Sequence, residues 1–126
     1  MDTYKIGKTE NTPEVELNHE TGIFEIKGIS RPENVQDFYD PILEWLENYL
    51  KESKNTSLIF NLYLEYFNSS SAKYILIVLK KMIKFIENGI NVTVNWSYDN
   101  GDEDMLEVGE EMQSLVKFKF NFIELP

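Results

Sequence analysis

The sequence predicts an α/β fold: a single domain spanning residues 1–126, with a mixed, mostly parallel sheet and helices chiefly on one face. Two observations lead to this prediction. Stretches of polar–apolar alternation take turns with stretches of helical periodicity, in the order ββαβαβαβ, which is typical of strands joined by crossover helices. Each predicted strand also keeps a polar side, whereas parallel strands buried on both faces are apolar throughout. The helices are therefore expected to cover one face.

The first half of the chain predicts a hairpin and a helix. Residues 15–17 and 23–26 flank a cluster of turn residues, and residues 4–6 allow one short strand before them. Apolar residues then recur at helical spacing from residue 31 to about residue 52. Pro41 lies inside this pattern, so the helix is expected either to kink there or to restart.

The second half predicts two strands, at residues 58–67 and 91–98, each followed by a helix. The helices are expected at residues 70–87 and 102–116, with Ile86 and Leu115 in their apolar stripes. The first strand is expected to bury Leu58, Phe60, Leu62, Leu64 and Tyr66. The last strand is marked by Phe118, Phe120 and Phe122. This pattern suits a STAS-like (anti-sigma-factor-antagonist) architecture better than a doubly wound nucleotide-binding sheet.

Composition excludes several classes of protein. The formal net charge of −10 argues against nucleic acid or an anionic membrane as a partner, because both require a positive surface. No signal peptide and no apolar run of the ~18 residues that a membrane span needs are present, so we expect a cytoplasmic protein without membrane insertion. Phosphate-binding glycine loops, dinucleotide fingerprints and nucleophile elbows are absent. We predict no catalytic residue and no cofactor.

A run of four polar residues, Asn68-Ser69-Ser70-Ser71, lies between a predicted buried strand and the helix after it. Free backbone N–H groups and the positive end of the helix dipole at such a junction stabilise a phosphate. A phosphate also adds about −1.5 to −2 charges and changes any docking surface there. From the local sequence alone, a polar loop in which one serine caps the helix explains the run as well.

Two charged clusters have structural and functional interpretations. Lys73, Lys80 and Lys84 form a basic stripe on the helix, either solvated or forming the edge of a partner site. The carboxylates from Asp99 to Glu111 lack the spacing of a calcium loop, and acidic residues are favoured in a first helical turn without any metal. We predict no metal site.

Several short pieces, in this order and spacing, resemble the SiaC family of bacterial regulatory phosphoproteins. These pieces are Thr12-Pro13, Gly28, Pro32-Glu33-Asn34, Phe38-Tyr39-Asp40-Pro41, Trp45, Tyr66-Phe67-Asn68-Ser69-Ser70-Ser71-Ala72-Lys73, Trp96-Ser97-Tyr98-Asp99 and Asp102-Glu103-Asp104-Met105. The resemblance implies a STAS-like domain that a dedicated serine/threonine kinase phosphorylates and a metal-dependent phosphatase dephosphorylates. It further implies that the unphosphorylated form binds and activates a diguanylate cyclase, which raises cyclic di-GMP.

The resemblance also implies the site residues. The family's phosphoacceptor directly follows the asparagine that ends the strand, which is Ser69 in this sequence, with Ser70 and Ser71 as alternatives. The expected partner-binding residues are Asn68, Ser69, Ser70, Ser71 and Lys73. Two other functions stay open: a STAS-like interaction module without phosphate control, and a small-molecule-binding domain.

Overall fold

The computed structural model describes residues Met1–Pro126 and contains one six-stranded sheet whose strands lie in sequential order. The first three strands pair antiparallel and the last four pair parallel, which confirms the predicted mixed, mostly parallel sheet. The optional short strand at residues 4–6 is formed. The elements are β1 (Tyr4–Ile6), β2 (Glu14–Asn18), β3 (Ile23–Ser30), α1 (Val35–Glu52), β4 (Ser57–Phe67), α2 (Ser69–Glu87), β5 (Asn91–Asp99), α3 (Glu103–Val116) and β6 (Asn121–Leu125).

The sequential strand order explains why the helices lie on one face. Each of the crossovers through α1, α2 and α3 advances by one strand in the same direction. Crossovers between parallel strands are right-handed, so three steps in one direction place all three helices on the same side of the sheet. The opposite face carries a row of hydrogen-bonded amides: Asn121 donates to Asn95 at 3.0 Å, and Asn95 donates to Asn61 at 2.8 Å.

The helix α1 runs from Val35 to Glu52 without a restart at Pro41. Its cap is Asn34, whose side chain accepts a hydrogen bond from the backbone N–H of Asp37. Pro41 is exposed, so the carbonyl of Asp37 that loses its helical partner to the proline ring lies on the solvent side. Of the two outcomes expected at Pro41, a kink or a restart, the restart does not occur. None of the three helices is long and apolar enough to cross a membrane.

The predicted burial of Tyr66 is wrong because β4 contains a bulge. Gly28 of β3 pairs with Leu64, but the next residue, Ile29, pairs with Tyr66, so Glu65 is an extra residue in β4. The extra residue reverses the alternation, and Tyr66 is 49% exposed. Phe67 instead turns toward the helical side of the sheet, where its ring meets Trp96 edge to face at 6.5 Å.

The last strand begins later than its aromatic residues suggest. Phe118 and Phe120 lie in the connection that follows α3, and only Phe122 belongs to β6. Lys117 ends α3 in the left-handed conformation, and the side chain of Gln113 accepts a hydrogen bond from the backbone N–H of Phe120 at 2.8 Å. Phe120 is nevertheless buried, stacked on Trp96. The aromatic spacing thus marks core residues correctly and the strand boundary wrongly.

Trp96 fixes α3 on the sheet. It is 1% exposed, and its ring N–H donates to the backbone carbonyl of Met105 at 3.1 Å. Gly109 packs directly on the indole, because a Cβ added there would lie 2.5 Å from Trp96 Nε1. This contact requires a glycine in mid-helix and sets how close α3 lies to β5.

Candidate functional site

The first turn of α2 begins directly after β4, and Asn68 caps it. The Asn68 side chain accepts a hydrogen bond from the backbone N–H of Ser71 at 2.9 Å, and its own backbone N–H donates to the carbonyl of Ser30 at 3.1 Å. The prediction that a serine caps this helix is therefore wrong. Since the asparagine does the capping, the hydroxyls of Ser69 and Ser70 are exposed and make no hydrogen bond within the chain.

Ser71 has a different environment from its two neighbours. It is 0% exposed, and its Oγ accepts a hydrogen bond from Ser30 Oγ at 2.8 Å. Ser30 Oγ also lies 2.6 Å from the hydroxyl of Tyr39 in α1. Burial raises the pKa of Tyr39, and the two serine hydrogen bonds oppose that shift in part. Ser71 thus attaches the first turn of α2 to β3 and α1.

An open groove of ≈ 390 Å³ lies between the start of α2 and the helix α3. Leu115, predicted to lie in the apolar stripe of α3, is 53% exposed at the edge of the groove, and Ile86, predicted to lie in the apolar stripe of α2, is 39% exposed elsewhere. The apolar lining of the groove consists of Phe67, Ala72, Leu76, Val108, Met112 and Leu115. The polar lining consists of Asn68, Ser69, Lys73 and Glu111.

The helices on either side of the groove carry opposite charges. The first turn of α2 has no acidic residue, and Lys73 is exposed one turn after Ser69. Asp102 caps α3 by accepting from the backbone N–H of Met105 at 3.1 Å, and acidic residues fill the first turn of α3. This agrees with the predicted capping role of the acidic cluster. No group of three or more potential metal ligands occurs in the structure.

The three lysines of the basic stripe are exposed and form no ion pair, whereas the adjacent Lys81 is paired. Lys81 pairs with Glu47 across α1 and α2, and this pairing lowers the pKa of Glu47. Lys80 and Lys84 are exposed and lie outside the groove, whereas Lys73 lines it. Only one member of the predicted stripe therefore contributes to the groove.

Three of the five residues predicted to bind a partner lie together in the groove, namely Asn68, Ser69 and Lys73. Ser70 is exposed outside its lining, and Ser71 is buried beneath the helix start. A kinase or partner reaches Ser71 only if the first turn of α2 opens.

The α3 side of the groove was not predicted from the sequence. Val108, Glu111 and Leu115 recur at three- and four-residue spacing, which places them on one side of the helix. That spacing was a usable signal, although it gives no indication of which element these residues face.

His19, the only histidine, lies in the β2–β3 turn outside the groove; its Nδ1 is buried without a hydrogen-bond partner.

Fold and site together define the class of protein: an α/β domain with helices on one face of a mostly parallel sheet and an open groove between two of them. The chain belongs to the SiaC family, since the model of the "SiaC family regulatory phosphoprotein" matches residues 6–125. The resemblance noted in the sequence is thereby confirmed. A curated relative, an uncharacterized protein of Pseudomonas aeruginosa strain UCBPP-PA14, is 28% identical over 120 residues, which cover 95% of this chain and 94% of the relative.

Solved structures agree with this assignment. SiaC of Pseudomonas aeruginosa is 26% identical and superposes with a TM-score of 0.90 over 99% of this chain and 100% of its own. A chain in the crystal structure of the diguanylate cyclase SiaD in complex with its activator SiaC, from the same organism, is 27% identical. It has a TM-score of 0.90, and the match covers 97% of this chain and 99% of that one.

Proposed function

We propose that this chain is a cytoplasmic signalling adaptor, without enzymatic activity of its own, that reversible phosphorylation of Ser69 switches. The unphosphorylated form binds and regulates a diguanylate cyclase through the groove between α2 and α3, and so acts on cyclic di-GMP signalling. A cognate serine/threonine kinase adds the phosphate, and a metal-dependent phosphatase removes it. Asn68, Ser69 and Lys73 contribute to the docking surface, and Ser70 lies beside it, outside the groove lining.

The position of Ser69 is the observation that carries this proposal. Its hydroxyl is exposed, it has no hydrogen-bond partner within the chain, and it lines an apolar groove that is large enough for side chains of another protein. An acceptor in that position couples a modification to docking without any change of fold. The regulatory phosphoprotein family of the chain and the SiaC–SiaD complex of the related protein support the same function.

The environments of the three serines favour Ser69 as the acceptor. Ser71 is buried and hydrogen-bonded to Ser30, so its modification would break the attachment of α2. Ser70 is exposed but lies outside the groove lining, where a phosphate would be farther from a bound partner. Ser69 combines access for a kinase with proximity to the docking surface.

The first turn of α2 is suited to hold a phosphate. Its backbone N–H groups and helix dipole favour negative charge, and no acidic side chain in that turn opposes it. Lys73, four residues after Ser69, lies one helical turn away on the same side. A phosphate there is stabilised by the helix while it changes the charge at the mouth of the groove by about −1.5 to −2.

The proposal is tested by phosphorylating the purified chain with its cognate kinase and measuring intact mass. We expect one phosphate on the wild type and on Ser70→Ala, none on Ser69→Ala, and loss of the added mass after treatment with the cognate phosphatase. The unphosphorylated and the phosphorylated forms of the wild type are then compared for binding to the organism's diguanylate cyclase. No mass gain would support an interaction module without phosphate control. A phosphate retained on Ser69→Ala would refute the assignment of the acceptor.

A further inference from the structure

The groove between α2 and α3 carries one charged side chain on each wall. Lys73 is the only charged residue of the α2 wall, and Glu111 is the only charged residue of the α3 wall. Apolar side chains from both helices and from Phe67 lie between them. The groove is therefore polarised across its width, with a positive wall, an apolar floor and a negative wall.

Both wall charges are unpaired within the chain. Neither Lys73 nor Glu111 takes part in any of the ion pairs that the structure contains, although Lys81 on the same helix does. Both side chains are exposed. Opposite charges that line one groove without meeting each other are available to two separate groups of a ligand.

We infer that the groove takes an amphipathic helical segment of the partner, whose apolar stripe has an acidic edge that meets α2 and a basic edge that meets α3. This inference rests on the proposed function and specifies the chemistry of the partner. Helix-in-groove docking uses an apolar stripe of this kind. The α3 wall from Val108 to Leu115 rises roughly 10 Å, which is about two turns of a helix. Charged edges then fix the register and the direction of the segment.

The polarity explains how a phosphate releases a partner from a protein that is already acidic. With one lysine, the α2 wall carries about +1, and a phosphate on Ser69 changes this to roughly −0.5 to −1. Both walls are then negative. The acidic edge of the partner is repelled, whereas its basic edge is still attracted. The reversal of one wall, and not the overall charge of −10, is what discriminates the two states.

Charge reversal on each wall tests the inference, with matched controls on the same helices. Lys73→Glu and Glu111→Lys are each expected to weaken binding of the organism's diguanylate cyclase about tenfold, the effect of replacing a close attractive pair by a repulsive one. The controls Lys80→Glu and Glu110→Lys make the same charge changes at exposed positions outside the groove lining, and we expect less than a twofold effect. Equal losses in variant and control would overturn the inference, as would unchanged binding in all four.

A second measurement separates this inference from the proposed function. If the wild type does not bind the cyclase, the proposed partner is wrong, and the polarity is tested with three labelled helical peptides that share one apolar stripe. The first peptide has lysines along one edge of the stripe and glutamates along the other. The second has lysines along both edges, and the third has glutamates along both edges. We expect the mixed peptide to bind the wild type about tenfold better than either other peptide. Ser69→Glu, which cancels the charge of Lys73 on the α2 wall, should abolish the preference for the mixed peptide over the all-lysine peptide. Equal binding of the three peptides, or an unchanged preference in Ser69→Glu, would overturn the polarised groove.

Discussion

The helices α2 and α3 begin in similar ways but differ in the charge of their first turns. Both follow neighbouring parallel strands, and an amide or carboxylate side chain caps each by accepting from a backbone N–H three residues later. Glu103 and Asp104 occupy the first turn of α3, and Asp37 that of α1, whereas α2 has no acidic residue there. The negative charge that a helix start favours is thus permanent in two helices and missing in the third, where exposed serines stand.

The two helix starts also differ in how they are attached to the sheet. Ser71 anchors α2 through hydroxyl hydrogen bonds to Ser30, and thereby to Tyr39. Trp96 anchors α3 through a hydrogen bond to Met105 and through its close contact with Gly109. Neither attachment contributes a residue to the groove lining, so the anchors hold the two helices in place while the groove-facing residues stay free. The difference separates residues that position the groove from those that act in it.

The largest effect is expected when charge is placed on the anchoring serine of α2. Ser71→Asp should lower the free energy of unfolding by about 3–5 kcal/mol, because it places a carboxylate where the side chain is fully buried and hydrogen-bonded to Ser30. Chemical denaturation measures the loss. Ser70→Asp is the matched control, because Ser70 is next to Ser71 in the chain but is exposed. Its effect on the free energy of unfolding should stay within about 0.5 kcal/mol. Similar losses in both variants would contradict the anchoring role of Ser71.

An intermediate effect is expected at the anchor of α3. Gly109→Ala places a methyl group against the indole of Trp96, and such overpacking costs about 1–3 kcal/mol. The better helix propensity of alanine offsets about 1 kcal/mol of this cost, so the net loss should be up to about 2 kcal/mol. The change should also displace the α3 wall and weaken partner binding. Gly7→Ala, where no atom lies near the added methyl group, is the control. Unchanged stability and binding in Gly109→Ala would contradict the close packing of α3 on Trp96.

The smallest effect concerns the charges of the two first turns. Ser69→Glu should raise the free energy of unfolding by about 0.3–1 kcal/mol, because it supplies the negative charge that the start of α2 lacks. Glu103→Ser should lower it by a similar amount, because it removes such a charge from α3. Both changes should shrink at high salt, where the charges are screened. Changes of the same sign in the free energy of unfolding of both variants would refute the claim that both helix starts favour negative charge.

Much of the fold was predictable because it depends on periodicity and connection rules. The element order, the single-sided helices and the burial of Trp96 follow from local patterns together with the handedness of crossovers. The exposure of Tyr66 did not follow, because the bulge at Glu65 exists only in the pairing of β4 with β3. A strand pattern cannot report the register of its partner.

The candidate site was predictable only on the α2 side. The serine run and the family resemblance identified the helix start, and the structure places Ser69 in the groove. The burial of Ser71 depends on Ser30, 41 residues earlier in the chain, and the second wall depends on Glu111 in another helix. Such long-range proximities are products of the packing of α1, α2 and α3, and no local motif contains them.

The most direct test of the proposed switch compares Ser69→Glu with Ser70→Glu in binding to the organism's diguanylate cyclase. The two variants add the same charge to neighbouring exposed serines, but only Ser69 lines the groove. We predict at least a tenfold loss of affinity for Ser69→Glu, less than a threefold change for Ser70→Glu, and unchanged circular dichroism in both. Wild-type affinity in Ser69→Glu, or an equal loss in the two variants, would contradict a switch centred on Ser69.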